Sequence, residues 1–259
     1  MTLAIVGPGL IGRSVGLAAR RAHPEARIVE IDRGGPLEAA VGADIIVLAA
    51  PVDAILDIVR HQADLLRSSV VIDTGSTKRA VVGAARHARL DTFVGGHPMA
   101  GGAGAGPSGA REDLFDARPW FLVPHGAAPE ALSVARDFVL RLRATPVVLE
   151  DDGALHDRIM AAVSHLPQVV SSALMGVAGD AAGEYLAWAG EGLADTTRLA
   201  DSTASMWQSI LSTNAAAVAP LLRELARTLS ETADHLDDPA FVQSLFDRAH
   251  RHRQRLRGK

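Results

Sequence analysis

The 259-residue chain contains no cysteine, so it forms no disulfide, builds no thiolate metal site and has no thiol nucleophile. Lysine is almost missing as well. Lys78 and Lys259 are the two, and arginine supplies the other 24 of 26 cations. Nor is there an excess of positive charge. Thirty acidic side chains against 26 basic ones give a formal net charge of −4, which offers no overall field for nucleic acid or an acidic membrane surface. Unbroken apolar runs such as residues 45–52 fall far short of the ~20 residues that cross a bilayer. No basic segment precedes the first apolar run, so no secretory leader is expected. From these absences a cytoplasmic chain with no membrane or nucleic-acid partner is expected.

What is present points to helices and a substantial core. Hydrophobic residues make up 48% of the chain, and 46 are alanine, the best helix former. At roughly 100–200 residues per domain, the length predicts one large domain or two modest ones. The first 150 residues alternate strand-like and helical stretches. Strands are expected at 2–6, 26–31, 44–49, 70–73, 92–95, 120–123 and 146–149, with helices at 11–22, 54–66, 78–89 and 129–143. Such alternation implies a Rossmann-type doubly wound parallel α/β sheet. Past Glu150 the strand signal stops. A helical pattern over 153–178, interrupted by Pro167, and four further helical segments follow. The boundaries are therefore 1–150 for a dinucleotide-binding domain and 151–259 for an all-helical domain. The terminal basic run, 250–259, suits a helix C-terminus, where cations favour the macrodipole.

Gly7-Pro8-Gly9-Leu10-Ile11-Gly12 fits G-x-G-x-x-G, directly after a strand and opening a helix. Gly7 makes the tight turn, Gly9 admits a pyrophosphate to the backbone, and Gly12 permits close helix–strand packing. The N–H groups around Leu10 and Ile11 then face the phosphates at the helix N-terminus. Asp32 lies 20 residues beyond Gly12, where a carboxylate bonds a ribose 2′-OH, so NAD is the expected cofactor. Arg33 follows it and could meet a 2′-phosphate, which keeps NADP as the alternative. Pro51, just past the third strand, joins the cofactor-facing positions. Only residues 33–43 separate the second strand from the third, fewer than the dozen or more a full crossover needs. The second crossover is therefore abbreviated, with at most a turn of helix at 37–41 and a more open adenine side.

Three further segments carry polar groups without an obvious structural duty: Asp73-Thr74-Gly75-Ser76-Thr77-Lys78, Gly95-Gly96-His97-Pro98-Met99-Ala100-Gly101, and Ser164-His165-Leu166-Pro167-Gln168. With Asp195-Thr196-Thr197-Arg198, Ser205-Met206-Trp207 and Asn214, in this order, the chain resembles the prephenate/arogenate dehydrogenase family of tyrosine biosynthesis over nearly its whole length. The resemblance implies a Rossmann domain, a helical domain through which two subunits pair as a homodimer, and NAD-dependent oxidative decarboxylation of a small cyclohexadienol.

The side chains suit that reaction. Oxidising a ring carbinol needs a base near neutral pH, and His97 is the candidate. By the resemblance it contacts the ring hydroxyl, with Ser76 orienting the imidazole and bonding the same hydroxyl. Arg198 offers a planar fork for a carboxylate. His165 would bind the side-chain end, and Trp207 would wall the pocket. Aromatisation drives the loss of CO2, so no metal is expected. Considered singly, Ser76 also suits a helix N-cap, and Lys78 a solvated first-turn residue.

The sequence departs from the family at several places. A glutamate often follows "HPMAG", but glycine and alanine fill 102–106 and the first acid is Glu112. Gln168 replaces a common second histidine, and Leu193-Ala194 stand where an aromatic and a basic residue are frequent. The length leaves no room for a fused mutase or regulatory domain, so a stand-alone enzyme is expected. Rival readings are a dehydrogenase of 4-amino-4-deoxyprephenate, a β-hydroxyacid dehydrogenase-like reductase, and a catalytically silent NAD-binding protein. The second usually carries a lysine in its helical domain, and this chain has none between Lys78 and Lys259.

Overall fold

The computed structural model describes residues 1–101 and 106–257. Among the described residues, seven strands form one sheet: β1 (Thr2–Val6), β2 (Arg27–Ile31), β3 (Ile45–Leu48), β4 (Val70–Asp73), β5 (Phe93–Pro98), β6 (Pro119–Val123) and β7 (Thr145–Val148). Their order across the sheet is β2-β1-β3-β4-β5-β6-β7. The pairings are parallel except between β5 and β6, which run antiparallel and so depart from the all-parallel expectation. Around the sheet lie α1 (Leu10–Ala22), α2 (Val52–His61), α3 (Arg79–His87) and α4 (Pro129–Arg141).

All four residues of β3 are buried, as expected for a strand covered on both faces. Its side chains alternate between two cores. Ile46 and Leu48 pack with Val52, Ile55 and Val59 of α2 and with Val81 and Val82 of α3. Ile45 and Val47 pack with Val15 and Ala19 of α1 and with Ala135 and Phe138 of α4. This period-two division is what makes the sheet a two-sided layer.

The abbreviated crossover is present as a 3-10 turn, Leu37–Ala40, which buries Leu37 and Ala40. Because β1 has β2 on one side and β3 on the other, the chain reverses its winding there. Ligands of open α/β sheets bind outside the carboxyl ends of strands at such a point.

The second half is helical: α5 (Ala154–Met160), a π-turn (Ala161–His165), α6 (Leu166–Ala182), α7 (Glu191–Thr197), α8 (Ala204–Thr213), α9 (Ala215–Asp234) and α10 (Pro239–Arg257). The interruption expected at Pro167 does not occur. Proline lacks the N–H that would bond the carbonyl four residues back, and the wider π-turn directly before it absorbs that loss within one continuous helix. The helical stretch Ala154–Trp188 is long and apolar enough to cross a membrane by length and composition, unlike the short runs apparent in the sequence. Much of its surface is outward-facing, with Val163 60%, Val177 69% and Trp188 80% exposed. Of the glycine-rich loop, residues 102–105 lie outside the described residues, as does Lys259; Pro107–Gly109 forms a 3-10 turn.

Candidate active site

The glycine fingerprint makes a cradle at the end of β1. Gly7 has φ +92°, and a Cβ there would lie 2.6 Å from the Ala49 carbonyl oxygen. At Gly12 a Cβ would sit 2.2 Å from the carbonyl oxygen of Gly7. Both glycines are therefore packed against backbone and cannot be enlarged. Gly9 is different, since nothing lies within 4 Å of the position its Cβ would occupy. It caps α1 without any side-chain hydrogen bond, so the first turn at Leu10 and Ile11 keeps its N–H groups available for an anion. Asp32 is exposed at the end of β2, its Oδ1 accepting the Arg33 N–H at 2.7 Å. Arg33 is exposed beside it, and Pro51 is exposed at the start of α2. These residues fit a dinucleotide: open space, free donors and a carboxylate at a single strand edge.

Farther along the same edge, β4 ends in Asp73 and β5 in His97-Pro98. The fully buried Asp73 carboxylate accepts the N–H groups of Gly75 (2.8 Å) and Gly96 (2.9 Å). It also pairs with the Lys78 ammonium. Lys78 is therefore not solvated; its side chain is 0% exposed. Burial lowers its pKa and Asp73 opposes that shift. Gly96 has no room for a side chain, because a Cβ would meet the Asp73 carbonyl oxygen at 2.3 Å. The two glycines before His97 thus let β5 lie against Asp73 and the helix behind it.

His97 is half-buried, and its Nδ1 lies 2.9 Å from His156 Nε2. Nδ1 of His156 lies 2.8 Å from Asp157 Oδ1. The ring of Phe121 stands edge-on to His156 at 5.4 Å. The imidazole of His97 is held by His156, and Ser76 is half-buried with no hydrogen bond to that ring among the described residues. Nor is Ser76 the cap of α3. Asp157 performs that task from the helical half, accepting the N–H of Lys78 (2.7 Å) and of Arg79 (3.0 Å). Gly153 makes the approach feasible. It has φ +85°, and a Cβ there would lie 2.7 Å from the Arg79 nitrogen.

Asn214 extends the cluster. Its Nδ2 lies 2.8 Å from the Asp157 carbonyl oxygen and 3.1 Å from His165 Nδ1. His165 is fully buried, its Nε2 has no partner among the described residues, and Trp207 stands edge-on to it at 5.8 Å. The expected pair of His165 and Trp207 is thus brought together, with the histidine beneath the tryptophan. Arg198 is exposed at the start of a 3-10 turn and makes no ion pair among the described residues. Gln168 is buried and donates to the Leu199 carbonyl oxygen at 2.8 Å, tying α6 to that turn.

The electrostatics favour neutral imidazoles. Burial, followed by the nearby His156, Lys78 and His165, holds His97 well below the ordinary histidine value of 6.5. Burial also lowers His156, opposed by the hydrogen bond that its ring donates to Asp157. His165 falls to about 4, again chiefly through burial. An imidazole that stays unprotonated near pH 7 can accept a proton. Sequence reasoning missed His156, Asp157 and the burial of Lys78. The one available signal was His156-Asp157 itself, two titratable residues opening an otherwise apolar helical stretch.

Comparison with known proteins agrees with this arrangement. The family model described as prephenate dehydrogenase, nucleotide-binding domain, matches residues 12–148, and the model for the prephenate dehydrogenase dimerization domain matches residues 152–245. The prephenate dehydrogenase of Lactococcus lactis is 30% identical over 97% of this chain and 76% of the relative. The probable prephenate dehydrogenase NovF of Streptomyces niveus is 32% identical over 91% of this chain and 68% of the relative. Among solved structures, the arogenate dehydrogenase of Synechocystis superposes with a TM-score of 0.82 at 26% identity, covering 99% of this chain and all of the other. The prephenate dehydrogenase from A. aeolicus, solved with hydroxyphenyl propionate and NAD+, shares the fold with a TM-score of 0.88 at 22% identity, over 100% of this chain and 98% of that one. Family models matched along both halves, with a relative 30% identical over 97% of this chain, place this chain in the prephenate dehydrogenase family.

Proposed function

We propose that the protein is an NAD-dependent dehydrogenase that oxidatively decarboxylates prephenate, or its close analogue arogenate, in tyrosine biosynthesis. The observation that supports this most is the half-buried imidazole of His97, its pKa lowered by burial, on the same sheet edge as the open cradle at Gly9. Gly7, Gly9 and Gly12 with the first turn of α1 hold the pyrophosphate, Asp32 bonds the ribose, and Arg33 and Pro51 border the cofactor. NAD, when bound, supplies the hydride acceptor. His97 takes the proton of the ring hydroxyl as hydride leaves the same carbon. The ring–carboxylate bond then breaks, CO2 departs, and the electron pair makes the ring aromatic. The product oxygen recovers the proton, so His97 is not consumed. Ser76 bonds the hydroxyl, Arg198 forks onto a carboxylate, and His165 with Trp207 shapes the side-chain end.

Residues 1–150 form the nucleotide unit and 151–259 the substrate and pairing unit. Pairing as a homodimer gives the exposed apolar face at Val163 and Val177 a partner, and the matched domain model is named for dimerization. A cytoplasmic location accords with relatives named as prephenate dehydrogenases. The test offers the protein prephenate, arogenate and 4-amino-4-deoxyprephenate with NAD and with NADP, following the reduced cofactor. Turnover is expected with NAD and prephenate or arogenate; none with any combination refutes the reading.

A further inference from the structure

We propose that Asp157 and His156 are positioning residues that fix His97 in the tautomer carrying its proton on Nδ1, which leaves Nε2 as the free base. The inference rests on the reading of His97 as the proton acceptor, and it follows from donor and acceptor counting along one chain of contacts.

The Asp157 carboxylate can only accept, and it already accepts the N–H groups of Lys78 and Arg79. Nδ1 of His156, 2.8 Å from Oδ1, must therefore be the donor. A neutral imidazole has one donor and one acceptor, so Nε2 of His156 is left as an acceptor. Facing it at 2.9 Å, Nδ1 of His97 must donate. The remaining nitrogen of His97, Nε2, then has a bare lone pair. Neutrality of His156 is the one condition. It is met by a side chain that is 0% exposed, packed against Phe121, and close to the buried Lys78 charge. Were His156 protonated, it would donate to His97 and force the proton onto Nε2, leaving no base there.

The dyad also sits across the junction between the two halves. His97 ends a strand of the sheet, whereas His156 and Asp157 open the helical half, and Asp157 grips the first turn of α3. The tautomer of the base is thereby set by how the halves dock. When His97 accepts the substrate proton, its Nδ1–H remains directed at His156, and the Asp157 carboxylate faces the resulting charge through that ring.

Nitrogen-15 spectra of the uniformly labelled full-length protein at neutral pH test this directly, with His97→Asn identifying the His97 signals. The expected result is a protonated Nδ1 and an unprotonated Nε2 on His97. The opposite tautomer, or protonation of both nitrogens, overturns the proposal. This readout needs no turnover, so it stands even if the functional reading fails the substrate panel. Kinetics add a second test. His156→Leu lowers kcat by roughly 10²–10⁴-fold, the ordinary contribution of a positioned base, with NAD affinity unchanged. His156→Gln, whose amide oxygen can replace Nε2 as acceptor, recovers most of that loss. Equal loss in both variants, or no loss in either, contradicts the assignment.

Discussion

Replacing Lys78 with methionine is the perturbation whose size the structure defines best. The substitution keeps an apolar stem of similar length and removes the ammonium. Asp73 retains its two N–H partners from Gly75 and Gly96 but stays fully buried with no counter-charge. Breaking a buried pair by deleting one partner costs about 3–5 kcal/mol. Domain stabilities are about 5–15 kcal/mol, so this is a large share of the total. At about 2–4 °C per kcal/mol for a chain of this size, the melting temperature falls by roughly 6–20 °C. Thermal unfolding measures that shift and urea unfolding the free-energy loss, both followed by tryptophan fluorescence, and the fully buried Trp120 makes the signal sensitive to the core. The double variant Asp73→Asn/Lys78→Met removes both charges and keeps an acceptor for a glycine N–H, so it should recover at least half of the loss. A single variant within about 0.5 kcal/mol of wild type, the range of an ordinary surface change, refutes the buried pair. So does a double variant no better than the sum of its parts.

Two glycines in the fingerprint separate binding from folding. Gly9→Ala meets no atom within 4 Å, so stability is unchanged, whereas overpacking of about 1–3 kcal/mol against the bound pyrophosphate weakens NAD by roughly fivefold to 150-fold. Gly12→Ala strikes the Gly7 carbonyl oxygen at 2.2 Å and lowers both stability and NAD affinity; calorimetric titration and melting curves distinguish the two. Acid stability carries a definite sign. His165 titrates near 4 in the folded chain against 6.5 ordinarily, so the unfolded state binds the proton first and stability falls as pH drops from 6.5 towards 4. His97 and His156 are lowered too and act in the same direction. His165→Leu should flatten the slope of melting temperature against pH in that window, and an unchanged slope contradicts the shift. Asp157→Ala removes the cap of α3, worth about 0.5–2 kcal/mol, and should also lower kcat through His156; a pure stability loss argues against the second role.

The sheet was legible because its signals are local. An apolar run such as Ile45–Leu48 must be covered on both faces, and a glycine turn before α1 has few other uses. The short interval after Asp32 was legible for a similar reason, since too few residues remain for a helix and a strand. The antiparallel direction of β6 was not, because nothing in the strand's own residues, Pro119–Val123, reports which way it runs. Lys78 was misplaced for a different reason. Its partner, Asp73, sits on a neighbouring strand end, and nothing in a first-turn lysine reports that the strand and helix behind it seal the amine from water. Ser76 suits the cap of α3 because capping is usually local, whereas the carboxylate comes from Asp157, 79 residues away from Lys78. His97 stood out through its glycines and strand end. The ring that holds it lies in the other half of the chain, and only docking of the two halves brings His156 within 2.9 Å.

The central claim is that one site removes hydride and CO2 from the same ring. The most direct measurement incubates the protein with NAD and ring-carboxylate-labelled prephenate, counting reduced cofactor and released CO2 together. The account predicts one of each per prephenate consumed, with both lost in His97→Asn while NAD still binds. Reduced cofactor without CO2, or CO2 without reduced cofactor, would contradict it.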